Sequence, residues 1–199
     1  MSDVTRREIL KALAAAAGLA PGAFAQQVHA AIQSLDQGEF YSPRFFTSSE
    51  YATLRALADL IIPADENSRG AIDAGAAEFI DYICSLSSDQ GSYFRDGLRW
   101  IDDEMKRRSR ATFTEAPRDE QTKLLDLIAF RRNSTEQTAV GVNFFSVLRG
   151  IVVDAYYTSP TGMAGIGYMG NQVLDSFTVP DEAVQYALRR SPFGVDVDN

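Results

Sequence analysis

The chain has 199 residues, 45% of them apolar and 11% aromatic, and a formal net charge of −8. This composition excludes a disordered or fibrous chain and suits one globular domain with its own core. The acidic balance argues against nucleic acid as a partner and against charge-driven attachment to anionic lipid. A single cysteine and a single histidine exclude an internal disulfide, a c-type haem attachment, an iron–sulfur cluster and a cysteine-rich zinc site.

In chain order, Met1–Ala25 reads as an export signal. Arg6 and Arg7 precede a short alanine-rich apolar run, Ile9–Leu19; Pro21-Gly22 breaks it, and Ala23-Phe24-Ala25 offers a small-x-small cleavage site. The arginine pair marks the twin-arginine type, so the expected destination is the periplasm by way of the twin-arginine translocase. The run is too short and too rich in alanine to anchor in a bilayer, and no later segment is expected to reach the length of a span. Gln26–Phe46 reads as an N-terminal arm with a short helical piece around Val28–Leu35.

Thr47-Ser48-Ser49-Glu50 is a capping box. It opens a helix that buries Leu54, Leu57, Ala58 and Ile61 and stops at Pro63. A polar loop, Ala64–Ala71, follows. Asp73 is expected to cap a second helix burying Phe79, Ile80 and Ile83, and the polar run Ser85–Gly91 to separate it from a third at about Ser92–Arg108. The third carries Phe94, Leu98, Ile101 and Met105 on one face, and Lys106-Arg107-Arg108 at its end complement the helix dipole. Pro117 starts a fourth helix with Leu124, Leu125, Leu127 and Ile128.

A wide apolar stripe over Thr135–Tyr156 predicts the central core helix. A glycine-rich loop, Thr158–Asn171, a short helix from Pro180 to Arg190 and a tail from Ser191 to Asn199 complete the chain. Strand signals are sparse. The expected architecture is all-α: one helical domain of about five to seven helices over residues 47–190, with extended terminal segments.

Gly165-Ile166-Gly167-Tyr168-Met169-Gly170 matches GxGxxG, the dinucleotide-binding pattern, but that chemistry needs a strand before it and a βαβ unit around it. The residues after Gly170 are too few for the rest of such a sheet. Asp65–Gly70 resembles the start of a calcium loop, yet Arg69 and Ala76 stand where oxygen ligands belong. Cys84 reads as a buried structural cysteine, and His29 stands alone. Asp102-Asp103-Glu104 with Lys106, Arg107, Arg108 and Arg110 reads as a solvated charged helix end, at most a docking patch. No catalytic, cofactor-binding or metal-ligating constellation assembles. The aromatic, methionine-bearing loop after Tyr156 is a candidate protein interface.

Two sets of residues resemble a known family. Ala58-Asp59-Leu60-Ile61-Ile62-Pro63, Gly70-Ala71-Ile72-Asp73-Ala74-Gly75-Ala76 and Phe79-Ile80-Asp81 are similar to the N-terminal motif of the gluconate 2-dehydrogenase subunit 3 family. Phe144-Phe145, Tyr156-Tyr157-Thr158-Ser159-Pro160 and Gly167-Tyr168-Met169-Gly170 are similar to its C-terminal motif. The likeness spans roughly Phe46–Asn171.

The resemblance implies a small, non-catalytic subunit of a membrane-associated sugar or glucoside dehydrogenase. The implied catalytic partner is a flavoprotein of the glucose–methanol–choline (GMC) group carrying FAD, with haem c in a c-type cytochrome as a further subunit. The small subunit is then expected to carry the export signal for the pair and to help the large one fold or acquire flavin. The expected contact surface is Tyr156, Tyr157, Pro160, Gly165, Gly167, Tyr168 and Gly170. Three alternatives stay open from the residues alone: that this loop merely closes the domain, that the chain is an independent exported enzyme, and that it is an exported helical binding module without a redox role.

Overall fold

The structure, a computed structural model, describes residues 41–167 and 179–190. The described residues are helical, with seven α-helices, one short 3₁₀ turn and no strand among them. The chain divides into two compact units, Met1–Tyr168 and Met169–Asn199. The first holds α1 (Ser48–Ile61), α2 (Ala76–Ser85), α3 (Ser88–Ser109), α4 (Arg118–Ile128), a 3₁₀ turn (Arg131–Asn133), α5 (Ala139–Thr158) and α6 (Pro160–Gly165). The described part of the second contains α7 (Asp181–Arg189). The expected signal, the helical piece around Val28–Leu35, His29 and the tail lie outside the described residues.

The start of α1 follows the capping box. Thr47 Oγ1 accepts the Glu50 amide at 3.3 Å, and Glu50 Oε2 accepts the Thr47 amide at 2.8 Å. The second helix departs from the expected start. Asp73 does not cap it; its carboxylate accepts the Gly70 amide at 3.2 Å, and α2 opens at Ala76 behind a left-handed Gly75 (φ 70°). Nor does the polar run separate α2 from α3. Ser87 caps α3, whose first turns include Asp89, Gln90 and Gly91. Gly91 persists inside the helix because Phe45 lies across it, where any Cβ would collide with the ring.

At the other end of α3, Glu104 is 6% exposed and bonded to Arg108 at 2.7 Å, with Arg107 also against it. Asp102 accepts the Phe113 amide at 2.9 Å. The charged helix end is therefore part of the packing, not simply a solvated face.

The core helix is α5, which packs against α1, α2, α3, α4 and α6. Its start is trimmed to Ala139 because Thr135 and Thr138 close a turn of their own, Thr138 Oγ1 accepting the Thr135 amide at 2.9 Å. Phe144, Leu148, Ile151, Val152 and Ala155 are buried, and Phe144 meets Phe94 edge-on at 5.7 Å directly above Gly97. Contrary to the expectation that no later segment reaches the length of a span, α5 is long and apolar enough by length and composition to cross a membrane. In its 18-residue apolar window, 56% is buried among the other helices, as befits the central helix of a bundle.

In the second unit, α7 opens behind Pro180 with Asp181 and Glu182 in its first turn, where the helix dipole favours negative charge. None of its residues is buried.

Candidate functional site

The two motif regions come together at the C-terminal end of α5. Tyr156 is buried, 5% exposed, and its hydroxyl donates to the Arg69 carbonyl at 2.8 Å. The next residue, Tyr157, is 47% exposed, its ring set edge-on to Tyr156 at 5.0 Å. The glycine-rich stretch then forms a short helix rather than an open loop. Ser159 Oγ donates to the Tyr156 carbonyl at 2.6 Å and accepts the Gly162 amide at 3.0 Å, while Pro160 supplies the fixed φ of a first turn. Gly162 lies so close to the Tyr156 carbonyl that a side chain there would strike it.

Opposite α6 stands the loop after α1, organised by Asp65. Its Oδ1 accepts the Asn67 amide at 2.8 Å, the Ser68 amide at 2.7 Å and the Ser68 hydroxyl at 3.1 Å. These bonds, the Asn67 amide foremost, hold the exposed Asp65 carboxyl below the usual carboxylate range. The residues that prompted comparison with a calcium loop thus make a self-contained turn.

Between this loop and α6 lies an open groove of about 490 Å³, lined by Asn67, Ser68, Arg69, Pro160, Thr161, Ala164 and Gly165. Of the expected contact residues, Pro160 and Gly165 line the groove and Tyr157 stands exposed on the final turn of α5. Gly167 is exposed with a left-handed backbone (φ 65°), and the neighbouring Ile166 is 59% exposed. Tyr156 instead ties α5 to the Arg69 loop from within. Tyr168 and Gly170 lie outside the described residues. Gly165, the first glycine of the GxGxxG match, is the last residue of a helix, so no strand leads into the pattern as a dinucleotide fold requires.

A second polar cluster was not anticipated from the sequence. Asp81, on α2, is fully buried. It accepts the Tyr41 hydroxyl at 2.7 Å and the Arg44, Phe45 and Phe46 amides at 2.7, 3.1 and 2.9 Å. One turn earlier, Glu78 accepts the Tyr51 hydroxyl at 2.6 Å and Arg55 at 2.9 Å. The one legible signal was a carboxylate set within the apolar run Phe79-Ile80-Asp81, with no indication of its partner. Cys84 is buried nearby, and burial, reinforced by the Asp81 charge, pushes its thiol well above the ordinary range. Among the described residues no group of three or more His, Cys, Asp or Glu side chains is placed to hold a metal ion.

These placements give structural content to both motifs, and the family comparison covers the same ground. The family model described as Gluconate 2-dehydrogenase subunit 3 matches residues 48–175. The chain belongs to the gluconate 2-dehydrogenase subunit 3 family. Membership makes it a subunit of a multi-subunit dehydrogenase complex. No curated protein and no solved structure matches the chain. The subunit 3 match includes the groove and Asp81; it begins after the Tyr41–Phe46 segment and ends before α7.

Proposed function

We propose that this subunit is the non-catalytic small component of a membrane-associated, FAD-dependent sugar or glucoside dehydrogenase. It binds a GMC-type flavoprotein that performs the oxidation, with a c-type cytochrome as a further electron-accepting subunit. It escorts the flavoprotein through twin-arginine export to the periplasm and supports its folding. The observation that carries this reading is family membership joined to the geometry of the groove. Two stretches far apart in sequence, both inside the family match, build one exposed surface, and Tyr157 and Ile166, which flank α6 in the chain, are exposed. Exposed aromatic and aliphatic side chains together with a pre-formed groove suit a protein contact.

Two experiments test it. Purified chain alone is expected to reduce no dye acceptor with any sugar, whereas co-expression with a GMC-type flavoprotein from the same host is expected to yield an active complex. Dehydrogenase activity in the isolated chain would overturn the non-catalytic role. Replacing Arg6 and Arg7 together with Lys is expected to retain the flavoprotein in the cytoplasm; normal export of that partner would overturn the escort role.

A further inference from the structure

We propose that Tyr41–Phe46 is a folding-gated strap: a segment that closes only on the assembled corner of α1, α2 and α3, and opens locally while those helices stay packed. Its receptor is distributed over all three helices. From α1, the Tyr51 ring packs on Tyr41 at 5.6 Å. From α2, Asp81 takes the Tyr41 hydroxyl and the Arg44, Phe45 and Phe46 amides, and the Tyr82 ring lies under the Arg44 guanidinium at 5.5 Å. From α3, Gly91 leaves the space that the Phe45 ring fills, and Arg95 donates to the Phe45 carbonyl at 2.6 Å while lying 4.0 Å over that ring. Arg95 is further positioned by Glu50 of α1 at 3.7 Å.

No single helix presents this receptor. A buried carboxylate is costly without its donors, and here the strap supplies all four hydrogen bonds that Asp81 is seen to accept. The strap in turn forms no regular secondary structure that could satisfy its amides. Each side therefore completes the other, and closure requires α2 and α3 to be in register. Opening turns on a hinge beside Thr47 and lifts the Phe46 ring, 4% exposed when the strap is closed, off the helices, while the Thr47–Glu50 capping box holds the start of α1. The device fixes the point at which the chain N-terminal to Tyr41 joins the body, and makes that attachment conditional on a finished three-helix corner.

Arg44 places a trypsin site inside the strap. Full-length protein, Asp81→Ala and Arg95→Ala are digested under native conditions, and the fragment beginning at Phe45 is followed by mass spectrometry alongside far-ultraviolet circular dichroism of the uncut samples. The expected result is cleavage after Arg44 roughly tenfold or more faster in Asp81→Ala, and measurably faster in Arg95→Ala, with the helical signal unchanged. Equal cleavage in wild type and both variants would overturn the proposal. So would a fragment that appears only together with cuts inside α1–α5, since the segment would then open with global unfolding. If Asp81→Ala fails to fold, Arg95→Ala decides by the same criteria.

Discussion

The carboxylate of Asp81 and the hydroxyl of Tyr41 meet at 2.7 Å across forty residues of sequence, inside a corner where Asp81 has no exposed surface. This bond, with the three amides beside it, is how the second family-motif helix takes hold of chain that precedes the family match. A hydrogen bond to a buried charge contributes about 1.5–3 kcal/mol. Tyr41→Phe removes that bond alone and is expected to lower stability by about 2 kcal/mol. Asp81→Asn sets an amide donor among N–H donors and is expected to cost about 3 kcal/mol or more. Chemical denaturation at constant slope checks both, and variants within about 0.5 kcal/mol of wild type would contradict this assignment.

The same corner gives an alkaline signature. Burial, the hydrogen bond to Asp81 and the Asp81 charge push the Tyr41 hydroxyl far above its ordinary value, and burial with the Glu78 bond does the same to Tyr51. A tyrosine ionises at about pH 10 in the unfolded chain. Because the folded values are raised, the contribution of these residues is fully present below about pH 10 and is lost progressively as pH climbs toward the folded values. Tyrosinate absorbance is expected to show Tyr41 and Tyr51 among the hydroxyls that resist titration until the protein unfolds. Tyr41→Phe and Tyr51→Phe should each remove one of them.

Cys84 offers a probe of the same region. It is 1% exposed and its thiol is pushed up by burial, so the thiolate that thiol reagents require is scarce at neutral pH. Native protein is expected to react with a disulfide reagent orders of magnitude more slowly than denatured protein. Rapid labelling of Cys84 in the folded state would show that the α2 face opens far more readily than its packing implies.

At the core, Phe144 is expected to be among the most sensitive positions. It is 1% exposed, meets Phe94 edge-on and lies directly over Gly97 of α3. Phe144→Ala is expected to cost about 3–5 kcal/mol. Tyr157→Ala, on the exposed final turn of α5, is expected to change stability by less than about 0.5 kcal/mol while weakening partner binding. Thermal melts read the first effect, and co-purification yield reads the second.

What was legible in the sequence was what is local. The Thr47–Glu50 box, the stop at Pro63 and the buried faces of α3 and α5 follow from neighbours within one or two turns, and they are present as expected. Expectation failed where a distant group decides. Gly91 reads as the end of a polar run between two helices until Phe45 is seen lying across it. Asp73 reads as a cap until the Gly70 amide takes its carboxylate and Gly75 turns left-handed. The glycines after Tyr157 read as a loop, yet Ser159 and Pro160 initiate α6 within them. The sequence offers no sign of the groove itself: Pro160 and Gly165 read only as contact residues, and Asn67, Ser68 and Arg69, which line its other side, come from a distant part of the chain. Tyr156, expected at the surface, is drawn inward by the Arg69 carbonyl. Asp81 falls within a family motif without a legible role, because its partners lie thirty-five to forty residues upstream.

The measurement that bears most directly on the central claim is purification of the tagged chain from its native host, read for co-purifying polypeptides, flavin absorbance and dye-linked sugar oxidation. The account predicts a flavoprotein in stoichiometric amount, flavin and activity travelling with the wild-type chain, and their loss with Tyr157→Asp while that variant stays folded. A chain that purifies alone, or one that oxidises sugar without a second polypeptide, would contradict it.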